Sequence, residues 1–211
     1  TYRDTGHLTV PDVFTAGEMQ AAIADAQAWA DEVLAGLSEA ERSWYLDRGA
    51  GDGQMLRKLD NPVVHRQVFR ELAAKPLLLS LVRHLIGGGL KVSFSQIFFK
   101  PPGGGGPKPM HQDNFYFGPS NRDGLVTAWI ALDDADVENG CLYYGEGSNW
   151  GPVLEHVAPP GEPFNLQIPA EVAAHQPMTP APVPRGGVSF HHGNTLHQSS
   201  DNRSDRWRRA C

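Results

Sequence analysis

The chain has 211 residues, with 18 Lys plus Arg against 24 Asp plus Glu and a net charge of -6. No basic stripe is available for nucleic-acid phosphates or anionic lipid, so neither nucleic acid nor membrane is an expected partner. The length suits one domain over residues 1–211, and 40% hydrophobic residues at modest charge exclude disorder despite 23 Gly and 17 Pro.

The first ninety residues read as a helical layer. Thr15-Ala16-Gly17-Glu18 has capping-box spacing and leads into an alanine-rich stretch in which Met19, Ile23, Ala26, Ala30 and Leu34 recur near the helical period. Ser38-Glu39-Ala40-Glu41 predicts a second start. Residues 76–86 open with Pro76 at a helix-compatible first position and stop at Gly87-Gly88-Gly89. From Leu90 onward, β-type runs at 91–99, 125–132, 141–144, 187–192 and 195–199 are separated by Gly, Pro and Asn. They predict an antiparallel sandwich or barrel. Gly103 to Gly106 lacks the Gly-Lys-Ser/Thr and helix start of a phosphate-binding loop, and reads as a flexible hairpin tip. Segment 151–184 is Pro-rich and too long for a passive hairpin loop, so it reads as a lid over a site.

Two cysteines, Cys141 and Cys211, make no disulfide framework or zinc knuckle. With no signal-like start or membrane-length apolar run, a cytoplasmic location is expected. The missing initiator Met and the ending at Cys211 suggest a trimmed version of a longer chain.

Two segments carry metal-binding chemistry. In His111-Gln112-Asp113, an extended backbone projects the imidazole and the carboxylate to one side, where both reach one metal. Gln112 then turns away toward a neighbouring loop or the pocket rim, and Tyr116 lines the pocket. Between Gly186 and His197 lie His191, His192 and His197. Two histidines and one carboxylate form the facial set of non-haem Fe(II), which leaves three coordination positions open. Spacing alone does not choose among the three histidines, although His191 and His192 read as packed or hydrogen-bonded in the sheet. Arg203, Arg206, Arg208 and Arg209 crowd the C-terminus, where most of such a run faces water.

His111-Gln112-Asp113, Trp129, Asn139-Gly140-Cys141-Leu142, Gly147-Ser148, Phe190-His191, His197, Ser199, Asn202, Ser204 and Arg208-Arg209 occur in an order that resembles the phytanoyl-CoA dioxygenase family. The resemblance implies a mainly β fold, a double-stranded β-helix (jelly roll, cupin-like) with N-terminal helices. It further implies an oxygenase that uses Fe(II), 2-oxoglutarate and O2. On this resemblance the metal ligands are His111, Asp113 and His197, and Arg208, eleven residues after the last ligand, pairs with the distal carboxylate of 2-oxoglutarate, helped by Ser199. Lys58 resembles the family lysine at the other end of the co-substrate, Gln96 lies near the co-substrate, and Trp129 matches a pocket wall. The implied reaction is hydroxylation of an unactivated C–H bond in a small organic metabolite, with release of succinate and CO2. Asp113 argues against halogenation, because related halogenases carry a small residue there.

Two departures from the family pattern stand out. Gly147-Ser148 is followed by Asn149 where the family often has His, a position outside the triad. The sequence also stops three residues after Arg208, where the family continues into another strand; if the protein itself ended there, Arg208 would be expected to be poorly anchored. The alternatives are a cupin-like metal-binding protein or isomerase that does not use Arg208, and a small-ligand binding module with structural histidines.

Overall fold

Both capping boxes open helices as their spacing predicts. Glu18 returns its carboxylate to the Thr15 amide at 2.7 Å while the Glu18 amide reaches Thr15 Oγ1 at 3.2 Å, and Ser38 and Glu41 pair in the same way. In the computed structural model, which describes residues 1–47, 55–160 and 165–211, the N-terminal half contains α1 (Tyr2–Thr5), β1 (His7–Val10), α2 (Ala16–Gly36), α3 (Glu39–Tyr45), β2 (Leu46–Asp47), β3 (Met55–Leu56), β4 (Lys58–Asp60), α4 (Pro62–His65), α5 (Gln67–Ala73) and α6 (Pro76–Ile86). The C-terminal half contains β5 (Gln96–Lys100), β6 (Lys108–His111), α7 (Asp113–Phe117), β7 (Val126–Ile130), β8 (Leu142–Tyr144), α8 (Ala170–Ala173), β9 (Thr179–Ala181), β10 (Val188–His192), β11 (His197–Ser199) and β12 (Arg208–Ala210). None of the described helices is long and apolar enough to cross a membrane.

The strands pair antiparallel in the orders β1-β10-β7, β6-β11-β8-β9 and β12-β5-β4, with β2-β3 as a separate pair. Alternation gives the sheets two unlike faces. Leu59, Ile97 and Phe99 of one sheet and Ile130, Val188 and Phe190 of another join a buried cluster with Met19, Ala22, Ala26 and Ala30 of α2 and with Phe69 and Leu72 of α5. Each large side chain so buried contributes about 1.5–3 kcal/mol. The opposite faces carry the polar residues of the site, because Thr127 and Trp129 stand against His191 and Ser189 in register, and Lys100 stands against Arg208.

Several expectations need correction. The first ninety residues are not purely helical, since β1 lies along β10 and β4 along β5. Such short strands have no local signature, and their partners lie far along the chain. The run expected at 91–99 is a strand only from Gln96 and extends to Lys100. Gly103 to Gly106 is not a hairpin tip, because β5 and β6 belong to different sheets. A Cβ on Gly105 would lie 2.8 Å from Lys100 Cα, and the Gly106 amide donates to Asp47. The C-terminal strand does not leave Arg208 poorly anchored: β12 pairs with β5, and Ile130 and Cys211 exchange backbone hydrogen bonds at 2.7 and 3.0 Å. Arg209 is likewise not simply solvated, because it grips Asp133 at 2.7 and 2.9 Å.

Candidate active site

His111 ends β6, Gln112 remains extended, and Asp113 opens α7, so the two-residue spacing turns both outer side chains to one side. Antiparallel register sets His197 directly across from His111. His111, Asp113 and His197 are buried, and one ligand atom from each lies within 4.8 Å of the others. Asp113 Oδ1 is 3.8 Å from His111 Nε2 and 3.7 Å from His197 Nε2.

Backbone carbonyls orient both imidazoles. His111 Nδ1 is 2.8 Å from the Pro109 carbonyl and His197 Nδ1 is 2.9 Å from that of Thr195, so each Nδ1–H donates outward and each Nε2 keeps its lone pair for the centre. Burial and the neighbouring His197 keep the His111 imidazole well below its ordinary range, and burial and His191 push His197 down to about 4. Burial opposes ionisation of Asp113, but His197, the His191 hydrogen bond and His111 outweigh it and hold the carboxyl well below its usual range. Two neutral imidazoles and one carboxylate are the protonation states that a divalent metal requires.

The other Asp113 oxygen is occupied. Thr127 Oγ1 donates to Oδ2, and His191 Nε2 lies 3.0 Å from it. The Tyr144 hydroxyl meets His191 Nδ1 at 3.0 Å and Ser189 Oγ at 2.8 Å. His191 thus packs in the sheet as expected and also touches the carboxylate, while His192 turns to Asp123 at 3.1 Å. Thr127 and Tyr144 were not legible as site residues, since both belong to β runs in which residue type alone marks no function.

Arg208 is 2% exposed, its guanidinium lies 5.5 Å from the Trp129 ring, and its Nε and Nη1 have no hydrogen-bond partner. Buried donors left in this way fit an incoming carboxylate. Burial lowers the Arg208 pKa to about 10, which leaves it charged at neutral pH. Ser199 lies one alternation beyond His197, and its hydroxyl receives a 3.0 Å hydrogen bond from Lys100 Nζ. Lys100 is 5% exposed and was missed because the expected strand ended one residue short of it. Burial, then Arg208, pushes its pKa down to about 6.

Lys58 and Gln96 meet at Asp60. Lys58 Nζ lies 3.2 Å from Asp60 Oδ2 and 3.8 Å from the centre of the Trp44 ring, and Gln96 donates to Asp60 Oδ1 at 2.7 Å. By register, Lys58, Gln96, Lys100 and Arg208 share one face of β4-β5-β12.

Gln112 points away from the triad, as alternation requires. Its side-chain amide donates to the carbonyls of Pro152 and Asn194 and accepts from the Leu154 amide, while its own amide donates to His156 Nε2. The start of segment 151–184 is therefore fastened beside the site, and Ile168 returns to Met110 through a 2.8 Å backbone hydrogen bond. Residues 161–164 lie outside the described residues. Tyr116 stands edge-on to His111 at 5.7 Å, and its hydroxyl donates to the Leu166 carbonyl. Asn149 donates to the Arg3 carbonyl and so ties the N-terminus down.

The phytanoyl-CoA dioxygenase (PhyH) family model matches residues 2–210. A probable alpha-ketoglutarate-dependent hypophosphite dioxygenase of Stutzerimonas stutzeri is 27% identical over 208 residues, 96% of this chain and 72% of that protein. Phytanoyl-CoA dioxygenase domain-containing protein 1 of Mus musculus is 36% identical over 155 residues, 69% of this chain and 52% of that protein, so the chain spans about half the length of this relative. Among solved structures, the non-heme alpha ketoglutarate dependent carbocyclase SnoK from nogalamycin biosynthesis superposes with a TM-score of 0.76 at 30% identity, covering 99% of this chain and 78% of that one. A match along nearly the whole chain, over a His-Asp-His cluster with the donor set for iron, makes this chain a member of the phytanoyl-CoA dioxygenase family of iron- and 2-oxoglutarate-dependent oxygenases.

Proposed function

We propose that residues 1–211 form one jelly-roll oxygenase domain that hydroxylates an unactivated C–H bond of a small organic metabolite. A reducing, cytoplasmic setting suits its free cysteines. In this reading His111 and His197 hold Fe(II) through Nε2 and Asp113 holds it through Oδ1. Arg208 and Ser199 take the distal carboxylate of 2-oxoglutarate, with Trp129 walling the arginine from water, and Lys58 and Gln96 border the co-substrate at the β4 side. When bound, the metal and co-substrate supply O2 activation, with release of succinate and CO2, and the oxidising power for hydrogen removal. The chain itself supplies position: Gln112 and His156 hold residues 151–154 beside the triad, and Tyr116 stands against His111. An insertion of oxygen, rather than a ring closure of the kind named for SnoK, is the outcome proposed here.

The observation that carries this reading is a buried triad together with a buried arginine, Arg208, whose Nε and Nη1 have no hydrogen-bond partner. Anaerobic titration of the metal-free chain with Fe(II), then with 2-oxoglutarate, tests it. A visible charge-transfer band that needs both additions and weakens in Arg208→Ala is expected. Metal uptake without the band would overturn it in favour of a cupin-like metal protein. Once a substrate turns over, a product heavier by one oxygen atom separates hydroxylation from ring closure.

A further inference from the structure

Two buried basic side chains stand side by side on one sheet face. Lys100 on β5 and Arg208 on β12 are direct cross-strand partners, 5% and 2% exposed. Lys100 Nζ donates to Ser199 Oγ at 3.0 Å and to the Ser200 carbonyl, both neutral groups. Among the described residues no carboxylate forms an ion pair with either side chain; Asp201 and Asp47 act on Lys100, and Asp133 on Arg208, only from farther away. Charging both side chains together at this burial is unfavourable unless an anion joins them.

The lysine sits in a built slot. A Cβ on Gly140, whose φ is +90°, would lie 2.6 Å from the Ser200 carbonyl and 3.3 Å from Lys100 Cδ, and one on Gly105 would press on Lys100 Cα. Asn202 Nδ2 donates to the Lys100 and Pro101 carbonyls at 3.0 and 2.9 Å. Two glycines and an asparagine thus leave room for the lysine stem and direct its amine to Ser199. A carboxylate has lone pairs enough for a guanidinium, an ammonium and a hydroxyl together.

We propose that Lys100 is a second cation for the remote carboxylate of 2-oxoglutarate, shared with Arg208 and Ser199, and that this pair makes the site selective for 2-oxo acids carrying a second carboxylate. The proposal rests on the function proposed above and assigns a role to a residue outside the set implied by the family resemblance.

Calorimetric titration of the full chain loaded with Mn(II) tests it with two probes. These are 2-oxoglutarate and 2-oxobutyrate, which keeps the chelating end and lacks the remote carboxylate. Lys100→Gln, which retains polar contacts, and Lys100→Met, which does not, are both expected to bind 2-oxoglutarate about 10- to 100-fold more weakly. Affinity for 2-oxobutyrate should remain within about twofold, the mark of a lost charge rather than a disturbed site. Wild-type affinity for 2-oxoglutarate in Lys100→Gln, or an equal loss for both acids, would overturn the role of Lys100 alone. A wild-type chain that takes Mn(II) but binds neither acid would overturn the proposed function and this inference with it.

Discussion

His191 Nε2 lies 3.0 Å from Asp113 Oδ2, so the two oxygens of this carboxylate have different tasks. Oδ2 is occupied by His191 and Thr127, while Oδ1 faces the two imidazoles. The arrangement favours a metal held through one carboxylate oxygen. Partners that orient a ligand typically change metal affinity 10- to 100-fold when removed. His191→Leu should therefore weaken Fe(II) binding about tenfold in an anaerobic titration. The Tyr144 hydroxyl would also lose a partner. Unchanged metal affinity would show that the contact is packing alone.

Much of this centre was legible because its signals are local. His111-Gln112-Asp113 needs only an extended Gln112 to bring the outer pair together, and the Thr15 and Ser38 caps act within four residues. The choice among the histidines was not local. Alternation separates His191 from His192, but only pairing with β1 and β7 decides which of them faces Asp113. Lys100 was hidden by a strand boundary displaced by one residue. Arg208 was named through resemblance, but its burial depends on β5 and on the Trp129 ring, which no reading of the C-terminal arginine run supplies.

Gln112 offers a test of how segment 151–184 is held. It is 1% exposed, and its side chain satisfies the Pro152 and Asn194 carbonyls and the Leu154 amide. Gln112→Ala leaves all three without this partner and should reduce the unfolding free energy by about 2–3 kcal/mol in urea denaturation. His111 and Asp113 keep their own partners, so Fe(II) affinity should change much less than in His191→Leu. A loss below about 0.5 kcal/mol would mean that the contacts do not anchor the segment.

Gly140 tests the slot from the other side. Its φ of +90° disfavours any side chain, and its Cβ position overlaps the Ser200 carbonyl that Lys100 bonds. Gly140→Ala should cost about 2–3 kcal/mol of stability, combining backbone strain with displacement of the Ser200 loop. Thermal unfolding beside a 2-oxoglutarate titration checks both consequences. A stable variant with normal co-substrate affinity would contradict the close fit described here.

The pH dependence of stability reports on Lys100 directly. In the folded, ligand-free chain its pKa is pushed down to about 6, by burial first and by Arg208 second, with Asp201, Asp47 and Cys141 opposing. An unfolded lysine titrates near about 10.4. Between these values the unfolded state binds a proton that the folded state lacks, so stability should rise with pH, with a slope of at most about 1.4 kcal/mol per unit. Below about pH 6 both states are protonated and this slope vanishes. Burial raises the thiols of Cys141 and Cys211, which gives the opposite slope once unfolded thiols titrate, so the informative window is pH 7 to 8. There the wild-type melting temperature should climb about 2–4 °C per pH unit more steeply than that of Lys100→Met. Saturation with Mn(II) and 2-oxoglutarate should flatten the wild-type slope, because a carboxylate beside Lys100 restores its proton. Parallel profiles for the two proteins without ligand would show that Lys100 stays charged in the folded chain.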